Sequence, residues 1–598
     1  MDYRRKEVFL NLKKKMNLWT GLIILCCMLC GCSGEQSSSQ QLWIPDSDIS
    51  EVSHVSESGT KEASQSVPQE ETKEQQEVSV YSTEELATDL LQDSGRSFAD
   101  MLWENQKASG VYQYNSEEQK NGNLLNYYIS SSEGNDENDG LSPKNPKKSL
   151  EPFSGISNVN IFLKCGDTFD MTNSFNIGNN VTIAVYGTGN RPILNYYQPL
   201  EVQWNESGSY KNVWAADLKE ISALCDNTTG KSNCNIGQLL IDGKCNWKRK
   251  IKDDGENFNY GEYLLNAADG SWAVDWENSV LYLYSDKNPN NMEISYALPN
   301  HGLQMNSTRN SQVLGLEITG AGFHGICLSN VNNVKIKSCY VHHIGGALLK
   351  NTGPRYGNAI ELWDGGQEVV VSYNMADWIF DTCYTNQGSS TSAVEKNVEF
   401  SYNIGRYCFW GIETWGDSYA EQAFENIGYK GNILMDACDI TNPEAAVYCN
   451  QQEQLIDGTG NLTETSVPYV SYRGGTYTYH QMALLNGRDN RKEGQLLIEN
   501  NVFWGTKRFL CMFSKRDVGR EFPLPENNLF FAEVPSEEIC LFRYSDSDGT
   551  RHFMNQLPLG AEKNTLIVPK GEPQEGAATA KNVLFDRIET IANGAKQE

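Results

Sequence analysis

The sequence has few basic residues, few prolines and no long apolar run outside its amino terminus. Its 49 lysines and arginines are outnumbered by 77 aspartates and glutamates, so the formal net charge is −28. That charge argues against nucleic-acid binding, which depends on basic side chains that neutralise phosphates. The 18 prolines without a Gly-X-Y period exclude collagen, and 51 glycines are typical of a turn-rich globular protein. Beyond residue 31, no apolar run is long enough to span a bilayer.

Metal-binding cysteine patterns are missing from most of the chain. Four of the 16 cysteines lie within the first 32 residues, and the other twelve form no CxxC pair and no Cys/His cluster, so no zinc site is predicted. Five of the twelve lie in β-type runs and are expected to be small buried side chains, namely Cys327, Cys339, Cys383, Cys408 and Cys438. Asp136, Glu137 and Asp139 could hold a Ca²⁺ ion, although an Asp/Asn/Gly turn is the commoner explanation. No other cofactor is predicted.

The amino terminus has the layout of an export signal. A basic run is followed by the 12 apolar residues Leu18 to Leu29, which are too few to cross a membrane. The segment Leu29-Cys30-Gly31-Cys32 resembles the lipobox of bacterial lipoproteins. The resemblance implies that residues 1–31 are a lipoprotein signal peptide and that Cys32 is lipidated. The protein would then be extracytoplasmic and anchored to the cell membrane by its lipid; the alternative is an ordinary signal peptide with an incidental cysteine.

The segment after the signal is polar. Residues 32–115 are rich in Ser, Gln and Glu with few aromatic residues, which predicts a flexible tether. Within it, Ser82 and Glu85 form a capping box, and Leu86, Leu90 and Leu91 share one helical face. A short amphipathic helix that packs on the following domain is therefore expected. Residues 546–598 are interpreted as a carboxy-terminal polar segment.

The strongest structural signal is a repeat. Short β-type runs end in Asn374, Asn403 and Asn432, which are 29 residues apart, and a later copy ends in Asn500-Asn501. A second set of short strands lies between these runs. Each unit is too small to bury its apolar face alone, so neighbouring units must stack. The period-two alternation excludes a helical solenoid, and the missing hairpin signals disfavour a β-propeller. A parallel β-helix with an internal asparagine ladder is predicted.

Several segments resemble a known superfamily. They are Tyr127–Ser131 followed by Gly134–Pro143, then Lys164–Phe169, Ile183–Gly187 and Arg355–Trp363. They are similar to coils of right-handed parallel β-helix carbohydrate-active enzymes, the pectate-lyase-like superfamily, over roughly residues 125–545. The resemblance implies an all-β, right-handed parallel β-helix solenoid and a carbohydrate ligand. It is vague for the reaction, because the superfamily includes lyases, hydrolases, esterases and binding proteins.

The coil rhythm divides the body into parts. Residues 124–199 are expected to start the β-helix and residues 299–545 to form its main part. Between them, residues 200–298 contain the runs Val213–Asp217, Gln238–Gly243 and Val280–Tyr284, separated by turns, which predict an inserted antiparallel β module. Similar inserts occur beside the substrate cleft in glycoside hydrolases of the superfamily, but a purely structural side domain is equally compatible. A second irregular insertion runs from Pro443 to His480.

Stacked coils repeat at about 4.8 Å, so aligned residues form columns on the surface. We align Cys327, Glu361, Tyr384 and Glu413 in one column. Three residues earlier in each coil stand His324, Asn358, Asp381 and Trp410. Glu361 and Glu413 would be two coils apart, about 9.5 Å at the backbone, which leaves room for the attacking water of an inverting glycosidase. Glu361, Asp381 and Glu413 are the predicted catalytic residues, and their repulsion could keep one of them protonated as the general acid.

Aromatic and polar side chains on the same coils are the predicted substrate-binding residues. Flat aromatic rings pack on the C–H faces of sugar rings, and polar side chains supply directional hydrogen bonds. The predicted set comprises His324, Arg355, Tyr356, Asn358, Trp363, Tyr384, Gln387, Trp410 and Trp415. Two alternatives stay open: the acids are ordinary solvated strand residues, and the aromatic column stacks inside the core.

Three functions follow from these residues. The first is a cell-surface glycoside hydrolase that cleaves a complex polysaccharide or glycan by carboxylate acid/base catalysis. The second is a polysaccharide lyase, with bases drawn from His324, His343, Lys350 and Arg355, although the acidic charge would repel a polyuronate unless Ca²⁺ bridges them. The third is a non-catalytic glycan-binding or adhesive lipoprotein. In each case a monomer is expected, with a glycan and the membrane, and no nucleic acid, as partners.

Overall fold

The chain alternates short strands with turns, as the period-two pattern of its apolar residues requires. In this computed structural model the described residues all belong to one compact unit and comprise 81–92, 95–109, 124–208, 210–221, 224–226, 231–232, 234–247, 269–349, 355–390, 393–416, 423–435, 451–456, 462–469, 482–486, 496–506, 509–513, 525–532, 540–545, 551–554, 565–572 and 574–594. The predicted signal peptide, the lipidation site Cys32 and most of the predicted tether lie outside these residues. No helix in the described ranges is both long enough and apolar enough to cross a membrane.

Among the described residues, two helices precede the strands and one follows them: α1 Thr83–Leu91, α2 Gly95–Ser109 and α3 Gln574–Asn593. Single 3-10 turns occur at Glu151–Phe153 and Pro289–Asn291. The first coils contain β1 Leu125–Ile129, β2 Val159–Lys164, β3 Thr168–Asp170, β4 Phe175–Asn176, β5 Val181–Tyr186 and β6 Ile193–Asn195. An antiparallel module follows, with β7 Tyr197–Pro199, β8 Trp204–Glu206, β9 Val213–Asp217, β10 Cys225–Asp226, β11 Lys231–Ser232, β12 Gln238–Ile241, β13 Lys244–Trp247, β14 Trp272–Asp275, β15 Val280–Tyr284 and β16 Ile294–Ala297.

The remaining strands form the main body. Up to the second insertion they are β17 Leu303–Asn306, β18 Arg309–Leu314, β19 Glu317–Thr319, β20 Ile326–Lys337, β21 Tyr340–Ile344, β22 Ala347–Leu348, β23 Arg355–Tyr356, β24 Ile360–Ser372, β25 Met375–Gly388, β26 Val394–Ser401, β27 Ile404–Gly416, β28 Ala423–Lys430 and β29 Ile433–Met435. After it come β30 Gln451–Ile456, β31 Leu462–Tyr469, β32 Met482–Asn486, β33 Leu496–Glu499, β34 Val502–Thr506, β35 Phe509–Phe513, β36 Pro525–Glu526, β37 Leu529–Ala532, β38 Cys540–Ser545, β39 Arg551–Met554 and β40 Leu566–Val568.

The strands pair in parallel with strands one coil away, and the pairings define three faces. Face A runs β1-β2-β5-β18 and continues through the second halves of β20 and β24 to β26, β28, β33 and β36. Face B runs β3-β6-β19-β21, the first halves of β25 and β27, then β29, β34, β37 and β40. Face C runs β4-β17, the first halves of β20 and β24, the second halves of β25 and β27, then β32, β35 and β38. This is the predicted parallel β-helix.

Inward-pointing side chains form the core along each face. On face A, every second residue is apolar and buried, and in-register pairs such as Val334 with Val369 continue from coil to coil. Phe400 and Tyr429 stack inside the core with ring centroids 4.9 Å apart. β-branched and aromatic residues suit this arrangement because they pack well against their neighbours in the next coil. Four of the five cysteines predicted to be buried lie in this interior or against it, namely Cys327, Cys339, Cys383 and Cys408, and Cys438 lies outside the described residues.

A ladder of buried asparagines links the coils at the corner between faces A and B, as the 29-residue spacing predicted. Asn374 donates through Nδ2 to Asn403 Oδ1 at 3.0 Å, and Asn403 donates in the same way to Asn432. The ladder continues through Asn501 to Asn528, across the second insertion. Each Nδ2 also donates to a carbonyl of the preceding coil, and each Oδ1 also accepts a backbone N–H. Each turn therefore satisfies its buried polar groups through the next one.

A second, surface ladder was not predicted. Asn180 donates to Asn158, Asn310 to Asn180 and Asn333 to Asn310, at 2.8–3.1 Å. Farther along, Asn426 donates to Asn397. These asparagines have φ between +52° and +61°, the left-handed conformation that asparagine tolerates better than other non-glycine residues. The same residue type therefore shapes two corners of the coil for two different reasons.

Insertions leave the β-helix at the corner between faces B and C. The module that starts at β7 and ends at β16 comprises two four-stranded antiparallel sheets, β13-β12-β16-β7 and β14-β15-β9-β8, around its own apolar core. It spans Tyr197–Ala297, close to the predicted 200–298. The coil continues across it, because β18 pairs with β5 through Gln312 and Thr182. The antiparallel hairpin β30–β31 belongs to the second insertion and lies at the same corner, between β29 and β32.

The helices cover the outer side of face B. The first residues of its strands form an apolar column, which comprises Tyr340, Met375, Ile404, Ile433, Val502 and Leu529. This column is buried in one cluster with side chains of α1, α2 and α3. The capping box of Ser82 and Glu85 forms as predicted, and Leu86 and Leu90 are buried. Leu91 is 38% exposed, so it was wrongly placed on the buried face. The predicted carboxy-terminal polar segment contains α3, whose Leu584 and Ile588 are buried.

A charged cluster lies beneath α2. The buried carboxylate of Glu317 contacts the Arg96 guanidinium and lies 3.1 Å from His342 Nε2. Burial raises the pKa of Glu317, but the hydrogen bond and charge of His342 and the charge of Arg96 outweigh it, so the pKa lies below its ordinary value of 4.5. The ion pair therefore ties the amino-terminal helices to the coil.

We expect Asn403→Ala to destabilise the β-helix. The substitution leaves the amide of Asn374 and the carbonyl of Val371 without their ladder partner, and unsatisfied buried groups should lower the free energy of unfolding by about 2–4 kcal/mol in total. Urea denaturation followed by circular dichroism measures this loss. Asn397→Gly removes a surface-ladder side chain from the same coil, and glycine adopts the positive φ of this position. This variant should lose less than about 1 kcal/mol of the free energy of unfolding. Equal losses for both variants would contradict the role of the buried ladder.

The Glu317 ion pair should make stability depend on acid pH. Because the folded pKa lies below the unfolded one, ionised Glu317 contributes stability above pH 4.5, and this contribution is lost as the pH falls through the folded pKa. The difference in Tm between the wild type and Glu317→Gln should therefore shrink between about pH 6 and about pH 3. Glu425→Gln, at an exposed pair with Lys396, is the matched control and should change Tm little at any pH. A Tm difference independent of pH would refute this account.

Candidate functional site

The candidate site lies on the outer side of face C, next to the corner that carries the insertions. Ile326, Ile360 and Ile412 point into the core. Their neighbours in sequence point outward by the alternation of a strand. In register, this outward column comprises Cys327, Glu361, Thr385 and Glu413. Glu361 and Glu413 are thus two coils apart as predicted, about 9.5 Å at the backbone.

The structure corrects one coil of the predicted alignment. Thr385, not Tyr384, lies between Glu361 and Glu413, and Tyr384 is fully buried in the core. Its hydroxyl lies 2.8 Å from the carbonyl oxygen of Ile404, and burial raises its pKa well above the ordinary value. Tyr384 therefore cannot bind substrate. A shift of one residue moves a side chain to the other face of a strand. The register was misassigned because an inward tyrosine, Tyr384, stands where the neighbouring coils have Ile360 and Ile412.

His324 and Glu361 form a buried pair at the amino-terminal end of the site. The side chains are 5% and 4% exposed, and His324 Nε2 contacts Glu361 Oε2. His324 Nδ1 accepts the backbone N–H of Asn358 at 2.9 Å. The imidazole stacks on His301 with ring centroids 5.1 Å apart and meets the edge of Tyr356 at 4.9 Å. Burial holds the pKa of His301 well below its usual range.

Glu413 accepts hydrogen bonds at the other end of the column. Thr382 Oγ1 and Gln387 Nε2 lie 3.0 and 2.9 Å from Glu413 Oε2. Gln387 Nε2 also lies 2.9 Å from the hydroxyl of Thr385. Glu413 is 5% exposed, so these polar partners replace most of its water. Gln387 was predicted to bind substrate, and the structure places it beside one of the predicted catalytic acids.

Asp381 lies on the coil between the two glutamates but one residue away from its predicted row. Thr382, not Asp381, is in register with Trp410, and the backbone N–H of Asp381 donates to the carbonyl of Gly357 at 3.0 Å. The side chain of Asp381 is 3% exposed. Asn358 holds the corner together, since its Oδ1 accepts the backbone N–H of Thr382 at 2.9 Å. Part of the hydrogen-bonding capacity of Asn358 is therefore used within the protein.

Arg355 faces the inserted module. Its Nη1 donates to the carbonyl of Ile236 in the module at 2.9 Å and to that of Gly346, and the guanidinium lies 5.8 Å from the ring centre of Trp272. At 1% exposure, Arg355 fastens the module to the coil and is not available to a substrate. The prediction that Arg355 binds substrate is therefore wrong, because a buried guanidinium takes backbone carbonyls as its partners.

The predicted aromatic residues occupy different environments. Tyr356 packs on Phe323 and on His324, each 4.9 Å away, which places it in the wall of the site. Trp363 and Trp410 are 9% and 6% exposed. Trp363 and Trp415 flank Gln387 in register, but the side chain of Trp415 lies outside the described part of the structure.

Of the bases considered for a lyase that the structure describes, only His324 lies in this site. His343 is on face B, where its Nδ1 is 2.7 Å from that of His342, and burial lowers its pKa well below the usual range. Lys350 lies outside the described residues. Within the described ranges, no cluster of three or more His, Cys, Asp or Glu side chains is arranged to hold a metal ion.

The acidic segment that was considered for Ca²⁺ forms a turn held by its own contacts. Asp136 accepts the hydroxyl of Ser149 at 2.6 Å and two backbone N–H groups, which hold its pKa below the ordinary value. Asp139 accepts the backbone N–H of Leu141 and the amide of Asn145. The ammonium group of Lys147 lies against the carbonyls of Asp136 and Asn138, in the position that a cation would need. The contacts are those of a turn.

Sequence reasoning missed three members of the site. Thr382 and Thr385 would have been found if Tyr384 had been placed in the core. His301 reaches His324 from the preceding coil, after the inserted module, and no spacing in the sequence indicates that contact.

Comparison with known proteins finds similarity to solved structures alone. No family model matches the sequence, and no curated protein matches it. Among solved structures, the complex of XylC with xylose is similar with a TM-score of 0.38 and 9% identity, over 74% of this chain and 83% of that one. The GH136 lacto-N-biosidase from Eubacterium ramulus has a TM-score of 0.28 and 11% identity, over 74% and 68%. Pectate lyase Pel9A has a TM-score of 0.32 and 12% identity, over 71% and 76%. At these TM-scores the similarities carry no conclusion, and the fold rests on the strand pairings.

Proposed function

We propose that the protein is a glycoside hydrolase that cleaves a polysaccharide or glycan on face C. The observation that carries this proposal is the outward column in which Glu361 and Glu413 lie two coils apart with Thr385 between them. Two carboxyl groups about 6.5–9.5 Å apart leave room for a sugar and an attacking water, as in inverting glycosidases. Asp381, on the intervening coil, is the third acid of the proposed centre.

The surroundings of the acids support acid/base chemistry. Glu361 has a histidine partner, and Glu413 has a hydroxyl and an amide partner, so the two carboxyl groups have different environments. Different environments are what separate the pKa values of a catalytic acid and base. Tyr356, Trp363 and Trp410 would supply apolar surfaces for sugar rings.

A lyase is the second candidate. His324 favours it, because a histidine in the site could remove the proton next to a uronate carboxyl group. However, His324 is already hydrogen-bonded at Nδ1 and paired at Nε2, and Arg355 is occupied by the module. Hydrolysis therefore uses more of the residues on this face than elimination does.

Product analysis tests the proposal. We expect the purified protein to cleave at least one member of a panel of neutral and acidic glycans, with a mass gain of one water per cut. The variants Glu361→Gln and Glu413→Gln should lose about 10²–10⁴-fold in kcat while they keep glycan affinity. Asp381→Asn tests the third acid in the same assay, and Glu425→Gln, an exposed glutamate on face A, should retain full activity.

Two outcomes of this experiment would overturn the proposal. Unsaturated products that absorb ultraviolet light, with turnover retained in both glutamine variants, would indicate elimination. Glycan binding without any cleavage by the wild type would indicate a binding protein.

Export and lipid attachment are a separate part of the proposal. We expect Cys32→Ser to abolish incorporation of labelled fatty acid and to release the protein from the membrane fraction of a bacterial host. The supporting feature is the sequence Leu29-Cys30-Gly31-Cys32 after a basic and apolar leader. Cys234→Ser, in the inserted module, is the matched cysteine control and should leave labelling unchanged.

A further inference from the structure

We propose that His324 is a positioning residue that keeps Glu361 ionised, and thereby makes Glu361 the base and Glu413 the acid of the site. The inference rests on the proposed hydrolase function, because it assigns roles within that reaction. Its evidence is the hydrogen bonding of one imidazole ring.

The backbone determines which nitrogen of His324 carries the proton. The N–H of Asn358 points at Nδ1 from 2.9 Å, so Nδ1 must be unprotonated and accept. A neutral imidazole then has its proton on Nε2, the atom that contacts Glu361 Oε2. In a doubly protonated ring, the Nδ1–H of His324 would point at the backbone N–H of Asn358. The Asn358 amide therefore favours neutral His324 with Nε2–H directed at Glu361.

The ring is held in that orientation from the sides. His301 stacks on one face of His324 with planes 15° apart, and Tyr356 meets it edge-on. His301 is itself held by its backbone N–H, which donates to Ser174 Oγ at 3.0 Å. At 5% exposure, His324 has little room to turn and exchange its nitrogens. The donor aimed at Glu361 is thus fixed before substrate arrives.

The hydrogen bond acts on the two protonation states of Glu361 differently. An N–H donor bonds more strongly to a carboxylate than to the weaker carbonyl acceptor of a protonated carboxyl group, and neutral His324 with its proton on Nε2 has no acceptor to offer there. Glu413 differs, because the Thr382 hydroxyl can donate or accept, and the Gln387 amide can present its N–H or, after a half-turn, its oxygen. The contact of His324 therefore favours ionised Glu361, whereas both partners of Glu413 are compatible with either protonation state.

Other titratable groups surround the pair, and any pH profile reports them as well. Before Glu361 they are His301, Cys327 and Tyr356. Asp364 lies on the same strand as Glu361, and Asp381 and Glu413 lie on the following coils. Burial raises the pKa of Asp364. The acids among these groups repel charge on Glu361, so a fixed donor is needed to keep it ionised.

The roles give a balanced hydrolysis step. Water transfers a proton to the Glu361 carboxylate as its oxygen bonds to the anomeric carbon. The glycosidic C–O bond breaks with its electron pair, and the leaving oxygen takes the proton from Glu413. Glu361 then releases its proton to solvent and Glu413 takes one up, which restores both groups.

Nitrogen-15 NMR of histidine-labelled protein tests the tautomer without any substrate. The chain has seven histidines, and the His324→Gln spectrum identifies the signal of His324. We expect one protonated nitrogen, Nε2, at neutral pH. An Nδ1–H tautomer, or an imidazolium at neutral pH, would overturn the inference whether or not the protein is a hydrolase.

The pH dependence of kcat/KM tests the role in catalysis. His324→Leu should move the acidic limb of the profile to higher pH by about one unit, because Glu361 loses its donor. His324→Gln retains an N–H donor of similar reach, so its acidic limb should lie close to that of the wild type. An unmoved limb in an active His324→Leu enzyme would refute the inference alone, whereas a wild type that cleaves no glycan would refute the proposed function and leave the NMR result standing.

Discussion

The register between coils is the constraint on which the rest of this protein depends. Asn374, Asn403 and Asn432 each bond to the same atom of the next coil, so neighbouring coils are held in register at one corner. Once one corner is aligned, strand pairing aligns the three faces, and residues far apart in sequence become neighbours at about 4.8 Å. The column of Glu361, Thr385 and Glu413 is a consequence of that alignment.

In the described part of the chain, the corner between faces B and C carries both insertions. The antiparallel module and the β30–β31 hairpin both leave the coil there, and pairing resumes after each one, as between β5 and β18 and between β27 and β32. Loop length adds little free-energy cost when the strands on either side remain paired. The candidate site lies beside this corner, where Arg355 secures the module to the coil. The corner at which both insertions leave the coil therefore borders the site.

Electrostatics differ between the buried acids on the outer sides of faces B and C. On face B, Glu317 is neutralised by Arg96 and His342 beneath α2, and the cluster serves to attach helices. On face C, Glu361 and Glu413 contact only neutral or histidine partners among the contacts described above. A buried acid paired with arginine contributes to stability, whereas one with weaker partners remains available for proton transfer. This contrast distinguishes Glu317 from the two glutamates of the proposed site.

The sequence by itself determined the β-helix, the asparagine ladder, the antiparallel module and the two-coil spacing of Glu361 and Glu413. These features repeat, and a repeated pattern averages out the ambiguity of any single strand. What did not repeat was decided by tertiary structure. Tyr384 belongs to the core and Thr385 to the site because one residue of slippage at a corner reverses inside and outside, which spacing alone does not reveal. Arg355 contacts the module, His301 stacks on His324 of the next coil, and α3 covers face B, because each of these contacts depends on chain segments that only the folded coil brings together.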